Sequence, residues 1–319
     1  MKTKTASFYQ IYNRCLFWFC GMKWFQSLLL SKKLAAISLF YSQHKPAMNE
    51  NEFIQRFLFN NSGDLRDWIL YSGSPAQIMN HIHLEREKDL LELIGQKQGV
   101  ILLNFHTGLS QAIHMALKTM GIAKYSYSIK NNPGKKKDQS KADHMNDYTS
   151  QIIWAAETLM NGGLVSISGD GKKGGSKSVV VPFLGRWQEF RTGFAELALA
   201  TNTVVIPISA CLQPDGTVKI QFHPPLEKDN GYQAKETQIK DLITKFSGFM
   251  AQQWIESPAT IKYNRLLNYL KQPLIQGTTP DVLVMQNPDQ LSPSKFGIFN
   301  GPLTQFRRLK KAFIQRKTH

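Results

Sequence analysis

Between residues 100 and 256 the apolar positions switch repeatedly from one period to another. Val100 to Leu103 is an unbroken apolar run of strand length, and Leu109, Ile113, Ala116, Leu117 and Met120 then recur at helical spacing. The pattern predicts a buried strand that delivers His106 to its end and a helix that begins at once. Gly108 permits the sharp turn between them, and Thr107 or Ser110 could cap the first exposed amides. Tyr125 to Ile129 alternates like a short strand, and Met145 to Met160 reads as a helix stopped by Asn161-Gly162-Gly163. Leu164 to Ser168 is a buried strand, Val179 to Gly185 another apolar segment, and Glu189 to Ala200 a helix. Val204 to Ile208 is a strand, and Thr217 to Phe222 alternates after a Pro214-Asp215-Gly216 turn. Residues 232 to 256 form a long amphipathic helix. Such alternation predicts an α/β fold with a mixed, largely parallel central sheet flanked by helices.

The flanking regions follow other patterns. Residues 50 to 97 read as mostly helical, with Phe53, Phe57 and Leu58 on one face and an amphipathic stretch from Leu84 to Leu93. The first forty residues mix Cys15 to Phe19, Trp24-Phe25 and Leu28 to Leu30 with Lys23, Lys32 and Lys33. They contain no uninterrupted run of about 18 apolar residues and no cleavage signature of a secretory signal. They suit one or two helices lying in a membrane interface, or a helical hairpin packed on the main domain. After residue 257 the chain is proline-rich and loses periodicity. It ends with a basic stretch in which Leu303, Phe306, Leu309 and Phe313 could share a face, unless this terminus is simply solvated. The expected organisation is a helical segment over 1–45, an α/β domain over 46–275 and a basic tail over 276–319.

Length and composition narrow the class. The 319 residues can bury a large core, and 42% apolar content excludes wholesale disorder and a many-pass membrane protein. The net charge of +16 is the outlier and implies an anionic partner, whether phosphate, nucleic acid or an acidic membrane face. No helix-turn-helix, zinc or aromatic RNA-binding pattern accompanies that charge, so nucleic acid is not expected. Cys15, Cys20 and Cys211 have no metal-ligand spacing and suit a reducing compartment. His81 and His83 have no third ligand nearby, so no metal site is expected.

Two stretches carry candidate chemistry. His106 falls at the carboxyl end of a strand and the amino end of a helix, where open α/β sheets keep their ligand crevices. A polar turn residue that happens to be histidine would look the same. The loop from Gly169 to Lys177 is glycine-rich and cationic, and its amides and lysines could hold phosphate, or it could be a plain surface turn. It lacks the Gly-Lys-Ser/Thr ending of a nucleotide P-loop. Its one acid, Asp170, could instead bind an adjacent cationic side chain and fix the loop.

An ordered set of segments gives these stretches a context. Leu102 to Gly108, Gly163 to Gly171, Val181 to Gly185, Thr192 to Ala198, Val204 to Pro207 and Pro224 to Glu227 follow one another at telling intervals. In order and spacing, over roughly residues 90 to 257, they resemble the bacterial lipid A biosynthesis acyltransferase family within the lysophospholipid acyltransferase-like group. The resemblance implies transfer of a fatty acyl group from an acyl-carrier-protein or coenzyme A thioester to a hydroxyl or amine, with no bound cofactor. It implies His106 as general base, and substrate contacts at Gly108, Asp170, Gly171, Lys172, Lys173, Phe183, Gly185 and Arg191. It also implies a peripheral or monotopic place on the anionic cytoplasmic face of the inner membrane. The family signature is a histidine, four residues, then Asp or Glu. Here the fifth residue after His106 is Gln111, which can accept a hydrogen bond but carries no charge. A homologue that binds lipid or acyl carrier without catalysis is the alternative reading of that glutamine.

Overall fold

A five-stranded sheet runs through the middle of the molecule. Its strands are β1 (Ile82–Glu85), β2 (Val100–Asn104), β3 (Leu164–Ser168), β6 (Val204–Leu212) and β7 (Val218–Phe222), in the order β1-β7-β6-β2-β3. The β1/β7, β6/β2 and β2/β3 pairs are parallel, and β6/β7 is antiparallel. The sheet is therefore mixed and largely parallel, as the alternating pattern predicts. The computed structural model describes residues 2–61, 79–107, 109–120, 148–171, 177–228 and 234–275. The expected strand at 125–129, the lysine cluster at 135–137 and the basic tail lie outside the described residues.

Helices cover the sheet because its interior strands β6 and β2 are apolar on both faces. Val100 to Leu103 are wholly buried. In chain order the helices of this domain are α3 (Glu50–Asn61), α4 (Glu87–Gly95), α5 (Ser110–Thr119), α6 (Tyr148–Met160), α7 (Gly193–Ala200), α8 (Lys235–Glu256) and α9 (Tyr263–Leu270). Helix α6 packs on β3 and α7 on β2, while α5 and α8 reach β6. A separate antiparallel hairpin, β4 (Ser178–Phe183) with β5 (Arg186–Arg191), lies against α8. Phe183 and Phe190 of the hairpin meet Trp254 and Phe246 of α8 edge-on, with ring centroids 5.2 and 6.1 Å apart.

The strand expected at Val204 to Ile208 runs on to Leu212, and three further differences from the sequence reading each have a local reason. Glu189 to Arg191 belong to β5, and the helix begins only at Gly193. Thr192 ends the strand, donates through its hydroxyl to Glu196 at 2.9 Å and accepts the Glu196 amide at its carbonyl. Leu84 lies in β1 rather than a helix, because Arg86 turns the chain through φ +62 before α4 starts. The stretch after 257 carries a helix, α9, whose Leu266, Tyr269 and Leu270 are buried at helical spacing.

The N-terminal segment forms α1 (Lys2–Cys20) and α2 (Lys23–His44), with Gly21 and Met22 between them. Ala36, Ile37 and Phe40 of α2 are buried in the same cluster as the sheet. Phe40 touches the rings of Phe53, Trp254 and Tyr269 at 5.7 to 6.0 Å. The opposite side of the pair exposes Ile11, Trp18 and Trp24. Among the described residues no helix is long and apolar enough to cross a membrane.

Candidate functional site

The register of two parallel strands assembles the site. Asn104, the last residue of β2, is paired with Ser168, the last of β3. The ladder runs one rung further, since the Gly169 amide donates to the Asn104 carbonyl at 2.8 Å. Continued along the same offset, residue 106 comes level with residue 170. The side chain of Asn104 reinforces this edge by accepting the Ser168 hydroxyl at 2.5 Å and donating to Ser166 Oγ at 3.2 Å.

Asp170 and His106 then meet directly. One carboxylate oxygen, Oδ1, accepts the His106 backbone N–H at 2.9 Å and lies 2.7 Å from His106 Nδ1. Arg265 of α9 closes the other side. Its Nε is 3.4 Å from Asp170 Oδ2, and its Nη1 donates to the Asp170 carbonyl at 3.1 Å. Burial by itself would raise the Asp170 pKa. The hydrogen bond and charge of His106 and the charge of Arg265 outweigh it and hold the carboxyl below its ordinary value.

An ionised carboxylate cannot donate, so the proton of a neutral imidazole must sit on Nδ1. That leaves the lone pair on Nε2, which has no partner among the described residues. The His106 side chain is 42% exposed while that of Asp170 is only 9% exposed. The imidazole therefore stands open to a second molecule, with its inner nitrogen anchored. Thr107 Oγ1 accepts the Leu109 amide at 3.0 Å just before α5, which shapes the turn from His106 into that helix.

Gly169 lets the Asp170 loop lie this close. A Cβ at residue 169 would stand 2.6 Å from the Phe246 ring, inside any real contact distance. A Cβ at residue 171 would stand 3.6 Å from His106 Cε1, an ordinary contact, which places Gly171 beside the imidazole.

The other expected site residues fall in different places. Gly108, Lys172 and Lys173 lie outside the described residues, as does the side chain of Gln111, whose backbone is in the first turn of α5. Phe183 is buried among Phe190, Trp254 and Tyr269, which makes it a packing residue with no exposed ring face for a substrate. Gly185 has φ +76 in the tight turn of the hairpin, following Leu184 at φ +50. Arg191 ends β5 opposite Ser178. Among the described residues no cluster of three or more potential ligands could hold a metal.

Two residues of the site were missed in the sequence. Asn104 was legible as a polar residue closing an otherwise apolar strand. Arg265 was hidden in the stretch after 257, where Leu266, Tyr269 and Leu270 at helical spacing give the only signal of α9.

A family model described as bacterial lipid A biosynthesis acyltransferase matches residues 72–255. No curated protein matches the chain. Among solved structures the chain is similar to the 1-acyl-sn-glycerophosphate (LPA) acyltransferase PlsC from Thermotoga maritima. Identity is 15%, the match covers 77% of this chain and 97% of that one, and the TM-score is 0.32.

Proposed function

This chain belongs to the bacterial lipid A biosynthesis acyltransferase family, and from that premise we propose that it transfers a fatty acyl group from an acyl thioester to a hydroxyl or amine of a lipid-like acceptor. The donor is a thioester of acyl carrier protein or of coenzyme A. His106 is the general base. The observation that carries this reading is the open Nε2 of an imidazole whose Nδ1 is already fixed by a buried carboxylate.

The step follows from that arrangement. The acceptor gives its proton to Nε2 as its oxygen or nitrogen bonds to the thioester carbonyl carbon, and the carbonyl electrons move onto oxygen. Collapse of the tetrahedral species breaks the C–S bond, and the thiolate takes the proton back from Nε2. A histidine suits both halves because its ordinary pKa lies near working pH. Backbone amides at the start of α5 are the donors for the oxyanion. The Leu109 amide is occupied by Thr107 Oγ1, so this task falls to the residues that follow it.

The chain's place in this proposal is the anionic cytoplasmic face of the inner membrane, bound peripherally. The exposed aromatic side of α1 and α2, with the exposed Arg14 and Lys23, supports that placement. The uncharged residue at 111 favours one other reading, a homologue that binds acyl carrier or lipid without turnover.

Mass spectrometry on purified protein given a panel of acyl thioesters and acceptors separates the two. The expected result is acylated acceptor from wild type and, for His106→Ala, a loss of about a hundredfold or more, the usual scale of general-base catalysis. Thioester binding without product in either form would leave the binding homologue.

A further inference from the structure

We infer that Asp170, steadied by Arg265, is the residue that positions the His106 base, so that the carboxylate this chain lacks at residue 111 has been supplied from the loop after β3. The inference rests on the general-base reading of His106 and specifies how it is sustained. A base of this kind needs a partner for two tasks: to keep the proton on Nδ1, and to stabilise the imidazolium that forms as Nε2 is protonated. In the family signature the partner is carried one helical turn along, at the position occupied here by Gln111. A glutamine can share in the first task but not the second.

Asp170 meets both requirements. Its Oδ1 lies 2.7 Å from Nδ1 and also holds the backbone of the same histidine, so the ring and its main chain are fixed by one atom. The carboxylate is ionised below its ordinary pH range and nearly buried, where its charge acts through little solvent. The loop that presents it is tied to β2 by the Gly169 amide and the Asn104 side chain. Nothing comparable could be built on a freely solvated loop.

Arg265 gives the arrangement a further layer. It holds both the carbonyl and the Oδ2 side of Asp170, which leaves Oδ1 turned to the imidazole. It also lies ten residues beyond the matched segment 72–255, in the helix that the hairpin and α2 lock in place. The orienting group of this site thus depends on the chain beyond that segment.

The test pairs turnover with the 15N spectrum of His106, read in wild type, Asp170→Asn, Arg265→Met and Gln111→Glu. Wild type is expected to show the Nδ1–H tautomer as the main neutral form. Asp170→Asn should populate the Nε2–H tautomer and lose about 10²- to 10⁴-fold in kcat, since the comparable change in a serine-protease triad costs about 10⁴. Arg265→Met should lose less, about tenfold, with a mixed tautomer population, in keeping with the coupling of one hydrogen-bonded network. Gln111→Glu should leave kcat within about threefold, because the charge is already present.

Asp170→Asn with the wild-type tautomer and turnover would overturn the inference. So would a gain of tenfold or more from Gln111→Glu. If Asp170→Asn does not fold, Arg265→Met and Gln111→Glu decide the matter between them. A wild type with no turnover on any thioester sinks the proposed reaction, and the tautomer measurement still decides the role of Asp170.

Discussion

Asn104 shows how much a single polar side chain can organise at a strand end. It accepts from Ser168 and donates to Ser166, joining the ends of β2 and β3 where His106 and Asp170 leave them. Asn104→Ala removes both bonds and leaves two serine hydroxyls near a buried edge. The expected loss is about 1–3 kcal/mol of stability, the scale for an unpaired buried polar group. Turnover should fall by about tenfold through small misplacement of the Asp170 loop. Urea unfolding and initial rates on one preparation check both, and a stability loss with full turnover would show that the loop is held by other contacts. At this scale His106 and Asp170 were each legible as candidates, because each follows an apolar run with a glycine nearby. Their partnership was not. The two are separated by 64 residues, and only the parallel β2/β3 register, invisible in periodicity, brings 106 level with 170.

The elements whose pattern is strong were read correctly, and those that depend on distant partners were not. The buried run of β2 and the long amphipathic α8 announce themselves through their own residues. The strand β5 does not, since Arg186 to Arg191 is polar at most positions and pairs only because the Leu184-Gly185 turn folds it back on β4. That hairpin meets α2 and α9 at an unusual junction. Arg186 is wholly buried, donates to the Gln272 carbonyl at 2.7 Å, and stands 5.1 Å over the Tyr269 ring. His44 of α2 lies beside it, with Nε2 2.7 Å from the Tyr269 hydroxyl, which itself donates to the Leu184 carbonyl. Burial, and then the Arg186 charge, lower the His44 pKa from 6.5 to about 4. Burial does the same to His223. Between those pH values the unfolded chain binds protons that the folded chain refuses, so stability is complete above about pH 6.5 and falls as pH drops toward 4. Unfolding near pH 5 should take up about two protons from these groups. His44→Gln keeps a donor for Tyr269 and should remove about half of that slope in denaturant midpoint against pH. An unchanged slope would mean that His44 is protonated in the folded protein.

Across the whole molecule, charge is distributed as unevenly as shape. The first acidic residue in the sequence is Glu50, so residues 1–49 carry seven of the 39 lysines and arginines and none of the 23 acids. Within that acid-free segment Ile11, Trp18 and Trp24 are 57 to 59% exposed, the two tryptophans flanking the elbow where α1 meets α2. The Trp18, Phe19, Phe25 and Trp24 rings follow one another at 5.2 to 5.8 Å across that elbow. The inner side of α2 is meanwhile committed to the core through Ile37 and Phe40. One side therefore fixes the pair to the domain, and the other offers indoles and cations together, the combination that settles at an anionic bilayer surface. A charged surface alone would give binding that vanishes with salt, whereas buried indoles give a part that persists. Co-sedimentation with vesicles containing anionic lipid should therefore show binding reduced by salt but not abolished, with a blue shift in tryptophan emission. Replacing Trp18 and Trp24 by serine should weaken partitioning by about tenfold or more, each indole contributing on the order of 1 kcal/mol of buried apolar surface. Turnover on a soluble acceptor should be unchanged, since neither residue touches His106 or Asp170. Equal binding by the doubly substituted protein would assign the membrane contact to the lysines alone, and binding to neutral vesicles as strong as to anionic ones would remove charge from the account.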